Sequence, residues 1–366
     1  MHDRRHFITL LGATLAPLSL RGAEKDAAAK LRWTDATAMH LEGRGWEGQE
    51  RLRHYDRLPA KAEKTVRKVV WDLSRHSTGM AVRFRTDARE IHVRYSLMSS
   101  RLAMPHMPAT SVSGIDLYAR DAKGTWRWVA VTKPAAQTVN ARLIEGMEPG
   151  EREYMAYLPL YNGVEKLEIG VPSAARFTAL PAREKPVVFY GTSITHGASA
   201  SRPGMTHVAI LGRRLDRPVM NLGFSGNGRM EMEIADLMTE LDPAVFVIDC
   251  LPNIARAREV TERTEPLVRR LRAARPDTPI ILIEDRSYAH SWVHERSRRR
   301  SELTRAALRA TYDKLVASGV KHLHYLEGGN LLGSDGDATT DGSHPNDLGF
   351  TRQADAIEPV LRKALS

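Results

Sequence analysis

Between about Lys30 and Arg183, apolar residues recur with a period of two in short runs, as in Ile91, Val93 and Tyr95 of EIHVRYSL and Trp126, Trp128 and Ala130 of TWRWVAV. Alternation of this kind marks strands with one buried face. Turn signals separate the runs. Lys123-Gly124 lies between two of them, and Asn162-Gly163, between YMAYLPLY and VEKLEIGV, predicts a hairpin. The expectation for residues 30–182 is an antiparallel β-sandwich without a long helix.

From Pro186 the pattern changes. The strand-like runs VVFY, PVMNLGF, AVFVIDCL, PIILIED and KHLHYLEG alternate with stripes at helical spacing: Val208, Leu211 and Leu215; Ile234, Leu237 and Leu241; Leu267, Val268 and Leu271; Phe350, Ala354, Ile357 and Leu361. Strands alternating with amphipathic helices predict a parallel sheet covered on both faces, with a site at the carboxyl ends of its strands. Residues 186–366 are therefore expected to form a three-layer α/β/α unit on a five-stranded parallel sheet. LPAREKP, Leu180 to Pro186, is the linker between the two units.

Ahead of both, MHDRRHFITLLGATLAPLSLRGA places Arg4-Arg5, an uncharged and mostly apolar stretch, and then Gly22 and Ala23. That is the order of a secretory signal, here of twin-arginine type, over residues 1–23. The apolar part falls short of the roughly 20 residues of a membrane-spanning helix. The expected location is the periplasm or the outside of a bacterial cell, with an uncleaved anchor as the alternative.

Composition changes this picture little. The chain of 366 residues is 42% hydrophobic and 27% charged, as in ordinary water-soluble folds. Its formal charge of +10 is spread along most of the sequence. The densest basic patch, His294 to Leu315, carries Leu308, Tyr312 and Leu315 at helical spacing and offers one aromatic, which fits a solvated helix face better than a nucleic-acid groove. A single cysteine, Cys250, excludes an intrachain disulfide, and its apolar surroundings predict a buried thiol.

Candidate chemistry begins where VVFYGTSITHG turns from bulky apolar residues to small hydroxyl residues. A serine hydroxyl at a strand end is a nucleophile only beside a base, and otherwise Ser193 is a turn or helix-cap residue. DGSHPND supplies Asp341 and His344 three residues apart, about one turn, so the carboxylate can orient one imidazole nitrogen while the other faces a serine. NLGFSGNG offers bare backbone N–H groups, and DCLPNI places Asn253 past a strand, as an oxyanion donor or a turn residue.

Together these four segments resemble the SGNH, or GDSL-type, hydrolase superfamily, whose flavodoxin-like domains carry blocks with Ser, Gly, Asn and His in this order. The resemblance implies that Ser193 is the nucleophile and Asp341 and His344 complete the triad. Ser193 N–H, Gly226 N–H and the Asn253 amide then form the oxyanion hole, with Gly223 as the alternative glycine. Thr192 stands where many members have Asp, and LPNI replaces the usual Gly-x-Asn-Asp. SGIDLYAR, Ser113 to Arg120, resembles the Gly-x-Asp-Leu-Tyr signature of a β-rich domain ahead of some bacterial members.

The resulting expectation is an exported serine esterase acting on O-acyl esters, in particular O-acetyl groups on carbohydrate, without metal or other cofactor and without a nucleic-acid partner. The alternatives are a noncatalytic glycan-binding protein on the same fold and a lipase- or thioesterase-type acyl hydrolase. For substrate contacts, His196, Arg286, Tyr288 and Trp292 are candidates, the last three as a sugar-binding wall or as packing against the β-rich half. His290 with His294, and His322 with His324, have spacings open to zinc but no third ligand nearby. AMPHMP, Ala103 to Pro108, is a proline-bounded loop that can reach toward the catalytic half.

Overall fold

The computed structural model describes residues 30–366, so the twin-arginine segment predicted over residues 1–23 lies outside the described residues. The period-two runs of the N-terminal half form ten strands: β1 Leu31–Asp35, β2 Leu41–Glu42, β3 Ala81–Thr86, β4 Ile91–Leu97, β5 Asp116–Arg120, β6 Trp126–Val131, β7 Thr138–Ile144, β8 Arg152–Tyr157, β9 Val164–Pro172 and β10 Phe177–Ala179. They pair antiparallel into a sheet of order β1-β9-β4-β7 and a second of order β10-β3-β8-β5-β6, with β2 on β3. Ile91, Val93, Tyr95 and Leu97 of β4 all point into the sandwich, where they meet Val82, Phe84, Leu117 and Tyr154 of the other sheet. Two short helices, α1 Lys68–Ser74 and α2 Ala109–Val112, lie in its connections.

The Lys123-Gly124 turn joins β5 to β6 as an antiparallel hairpin. Asn162-Gly163 does not make the predicted hairpin. β8 pairs with β3 and β5, whereas β9 pairs with β1 and β4, so this connection crosses from one sheet to the other. Asn162 is buried at that corner, where its amide accepts from Ser99 N at 3.0 Å and donates to Ser99 O at 2.9 Å. The dipeptide that favours a tight turn here supplies a side chain that imitates a strand partner.

In the C-terminal half, β11 Val187–Gly191, β12 Val219–Gly223, β13 Val245–Asp249, β14 Ile280–Ile283 and β15 Leu323–Leu326 form a parallel sheet of order β12-β11-β13-β14-β15. Between and after them lie α3 Ser193–His196, α4 His207–Arg214, α5 Met232–Thr239, α6 Ala257–Ala274, α7 Glu295–Ala317 and α8 Asp347–Leu365. Alternate residues of each strand serve opposite faces. Val187, Phe189 and Val247 pack with α4 and α8, whereas Val188, Tyr190 and Ile248 pack with α5, α6 and α7. Among the described residues no helix is long and apolar enough to cross a membrane.

The two halves interlock through buried polar groups. Arg57, from the N-terminal half, is fully buried with its guanidinium donating to four carbonyls: Leu73 at 2.6 Å, His76 at 3.0 Å, Asn221 at 2.9 Å and Gly223 at 2.8 Å. Burial without a carboxylate partner pushes its pKa down to about 9. The Gly-Ile-Asp-Leu-Tyr motif is a second bolt. Asp116 accepts from Gly204 N at 2.8 Å, Arg202 at 3.0 Å and the Trp128 indole at 3.0 Å. Leu117 enters the sandwich core, and the Tyr118 ring lies 4.0 Å from the Arg213 guanidinium of α4. The motif's residues divide between the sandwich interior and the neighbouring α/β unit.

Replacing Arg57 by Met should strand the carbonyls of His76, Asn221 and Gly223, each costing about 1–3 kcal/mol when buried without a donor, whereas Leu73 O keeps the N–H of His76. The expected outcome is a melting temperature lowered by several degrees in calorimetry. An unchanged melting temperature would show that the contact contributes nothing to the union of the two halves.

Candidate active site

The apolar strand β11 ends at Gly191, and the chain turns at once into the single-turn helix α3. Thr192 caps it, its hydroxyl accepting from Ile194 N at 3.2 Å, so threonine does here what an N-cap Asp would do. Ser193 is the first residue of α3, where an N–H has no acceptor one turn back. The residue is buried, at 8% exposure.

Ser193 Oγ lies 2.8 Å from His344 Nε2, and His344 Nδ1 lies 2.7 Å from Asp341 Oδ2. The structure thus brings together three residues separated by up to 151 positions. Asp341 also accepts the N–H groups of Ser343 at 3.0 Å and His344 at 2.8 Å. Partial burial works to raise its pKa, but the bonds from His344 and Ser343 N–H outweigh it and hold the carboxyl down to about 2. Asp341 therefore remains an anion throughout the neutral and mildly acid range. The carboxylate fixes the imidazole so that Nε2 faces the serine.

The loop after β12 packs against the end of β11. Gly226 is exposed, with φ +68°. A Cβ on Gly228 would lie 1.8 Å from Gly191 O, so only glycine lets this loop touch the end of β11. Asn253, at the end of a 3-10 turn after β13, lies against this loop. In one amide orientation its nitrogen reaches Gly228 O at 3.3 Å. In the other, its oxygen accepts from Asn227 N at 3.1 Å and Gly228 N at 3.3 Å, which pairs donors with an acceptor.

Two sequence candidates lie elsewhere than expected. His196 does not line a pocket. It is fully buried between the halves, with Nε2 bonded to Leu160 O at 2.8 Å, the ring stacked 4.2 Å from Tyr161, and its carbonyl accepting from Thr78 at 2.8 Å. Burial, with the charges of Arg57 and His76, drives its pKa well below the usual imidazole range, so it stays neutral. Arg286 is likewise no wall residue. It is buried, paired with Asp285, and donates to the Ser343 carbonyl at 3.0 Å and to the Ser343 hydroxyl. Its partner segment is the residue before His344, so it braces the loop that carries the imidazole.

Tyr288 and Trp292 do border a cavity, of about 210 Å³, with Gly329, Leu332 and Thr339. Trp292 is 82% exposed. Of the histidines with metal-like spacing, His290 and His294 have structural partners. His294 caps α7 by accepting from Ser297 N at 3.2 Å, and His290 meets the Ser297 hydroxyl at 3.1 Å. His322 precedes β15 with φ +52°, outside the strand that holds His324. Cys250 is a buried free thiol.

The sequence offers little sign of one further group. Asp249, the last residue of β13, is buried beneath α3 with Thr195 Oγ1 at 3.3 Å. Burial first, then the nearby Asp285 charge, raises its pKa to about 7 against the pull of Arg286 and Thr195.

Residues 184–362 match the model of the GDSL-like lipase/acylhydrolase family, and residues 31–177 match that of the N-terminus of SGNH hydrolase-type esterases. A crystal structure from Bacteroides ovatus, of a protein described as a GDSL-like lipase, is 33% identical, with a TM-score of 0.86, and the match covers 92% of this chain and 98% of that one. The chain belongs to the GDSL-like lipase/acylhydrolase family. Two more distant structures share the fold of this GDSL-like protein. The salicylyl-acyltransferase SsfX3 of a tetracycline biosynthetic pathway is 18% identical over 91% of this chain and 97% of its own, with a TM-score of 0.72. A family two carbohydrate esterase from Cellvibrio japonicus is 13% identical over 92% and 98%, with a TM-score of 0.60. No curated protein matches the chain.

The buried Asp249 carboxyl predicts a pH-dependent stability. Its folded pKa is raised above the unfolded value, so the folded state holds a proton that the unfolded chain releases, and stability declines as pH rises from about 4 to about 7. Asp249→Asn should therefore raise the melting temperature at pH 8 and change it little at pH 4. An equal effect at both values would place the ionisation elsewhere.

Proposed function

We propose that this protein is an exported serine esterase that hydrolyses O-acyl esters, in particular O-acetyl esters of carbohydrate, through Ser193, His344 and Asp341. The observation that carries the reading is the unbroken hydrogen-bond chain from Ser193 Oγ through both nitrogens of His344 to Asp341. His344 Nε2 takes the serine proton as Oγ bonds to the ester carbonyl carbon. The imidazolium then returns that proton to the alcohol oxygen as its bond to the acyl carbon breaks. Water, activated by the same imidazole, releases the acid from the acyl-enzyme. No metal or organic cofactor enters either half-reaction.

In this reading the oxyanion is held by the N–H groups of Ser193 and Gly226 and by the amide nitrogen of Asn253. The Asn253 orientation whose oxygen accepts from Asn227 N and Gly228 N supports the last donor, because it turns the amide nitrogen off the Gly228 carbonyl. A noncatalytic glycan-binding role would give no reason to keep a buried serine, an oriented imidazole and a carboxylate of strongly lowered pKa together. The carbohydrate component draws support from the fold shared with a carbohydrate esterase and from the expected export. Tyr288 and Trp292 are the sugar-facing wall in this reading, with an aromatic face open to solvent.

Hydrolysis of p-nitrophenyl acetate tests the assignment. Asn253→Ala should lower kcat by about 10²–10³-fold, as loss of one oxyanion donor does, with the melting temperature retained. Asp341→Asn should lower it by about 10⁴-fold through loss of the productive imidazole tautomer. Rates within a few-fold of the parent in both variants would remove these residues from the reaction.

A further inference from the structure

One histidine beside the candidate triad comes from the N-terminal sandwich. In the loop Ala103–Pro108, Met104 N donates to Met107 O at 2.9 Å and Met107 N to Met104 O at 3.0 Å, which makes Pro105-His106 the tip of a two-residue turn. Pro105 and Pro108 fix two of its backbone φ angles. Met107 is buried in the core layer of the α/β unit, in one cluster with Leu160, Ile194 and Ala338, so the turn is anchored in the catalytic half. At its tip the exposed His106 ring lies 6.3 Å, centroid to centroid, from the His344 ring, with the two planes 30° apart.

We propose that His106 is a specificity-determining residue that contacts the alcohol portion of the ester, and that this alcohol is polyhydroxylated. The inference rests on Ser193 and His344 acting as described above. Proton return requires the departing oxygen to sit against His344 Nε2. Ser193 is buried, while the His344 and Asp341 side chains keep 26% and 47% of their surface exposed. The departing alcohol leaves across this open side, and His106 borders it one ring's breadth from the imidazole. A neutral imidazole offers one donor and one acceptor, the pair that neighbouring sugar hydroxyls can satisfy together. Because the turn is preorganised, the contact costs little ordering.

The test compares the wild-type protein with His106→Ala and His106→Asn on two acetate esters: p-nitrophenyl acetate, whose leaving group carries no hydroxyl, and acetylated xylo-oligosaccharides. For His106→Ala the loss of kcat/KM on the saccharide ester should exceed the loss on p-nitrophenyl acetate by about tenfold, the worth of one to two hydrogen bonds, and should be carried mainly by KM. His106→Asn, which keeps a donor and an acceptor, should recover part of the difference, and the melting temperatures should coincide. Equal losses on both esters, or none, would overturn the proposal and leave the triad reading standing. Hydrolysis of p-nitrophenyl acetate by a wild-type protein inert toward the saccharide ester would overturn both this proposal and the carbohydrate reading. Absence of hydrolysis of either ester would overturn the esterase reading itself.

Discussion

The structure depends on how closely three backbone segments approach the one-turn helix that follows β11. A Cβ on Gly223 would lie 2.2 Å from His196 N, and one on Gly228 would lie 1.8 Å from Gly191 O. These contacts press the ends of β11 and β12 and the following loop around Ser193, with no side chain between them. From the other half, Thr78 holds the carbonyl at the end of the helix, Leu160 holds the His196 imidazole, and Arg57 holds the carbonyls of Asn221 and Gly223. The helix that carries Ser193 is thereby fixed by groups from both halves, and the preorganisation that the proposed oxyanion site requires follows from packing that leaves no slack.

A second support lies under the imidazole. His344 is reached through a long excursion after β15, and such a segment needs tethers to hold an angle within the tolerance of proton transfer. Two are present. Asp341 closes a local ring through the Ser343 and His344 N–H groups as well as the imidazole. Arg286, neutralised by Asp285, grips the Ser343 carbonyl from beneath. The buried carboxyl of Asp249 shares that basement, and its raised pKa reflects burial first and then the neighbouring Asp285 charge.

The architecture was legible in the sequence because periodicity reports burial directly. Two-residue alternation in EIHVRYSL and the recurring strand-helix rhythm after Pro186 each leave one arrangement that covers the apolar faces. Ser193, Asp341 and His344 were legible as candidates because they sit in short polar motifs at strand ends, where a packed core gives no reason for them. His196 and Arg286 were misread for one shared reason: a polar residue lining a pocket and one bridging two packed layers look alike in sequence, and only the neighbours in space distinguish them. Asn162-Gly163 shows the same limit, since its amide was fitted to a partner in Ser99 that lies 63 residues away. Arg57 gave no signal at all, because its partners are backbone carbonyls, which every residue carries.

The account stands on Ser193 being the activated nucleophile, and covalent trapping tests this most directly. Treatment with a fluorophosphonate, followed by intact mass measurement and peptide mapping, should give one adduct per chain on the peptide that contains Ser193, with none in Ser193→Ala and slow formation in His344→Ala. An adduct of the same stoichiometry in the Ser193→Ala protein, or one mapped to another residue, would contradict it.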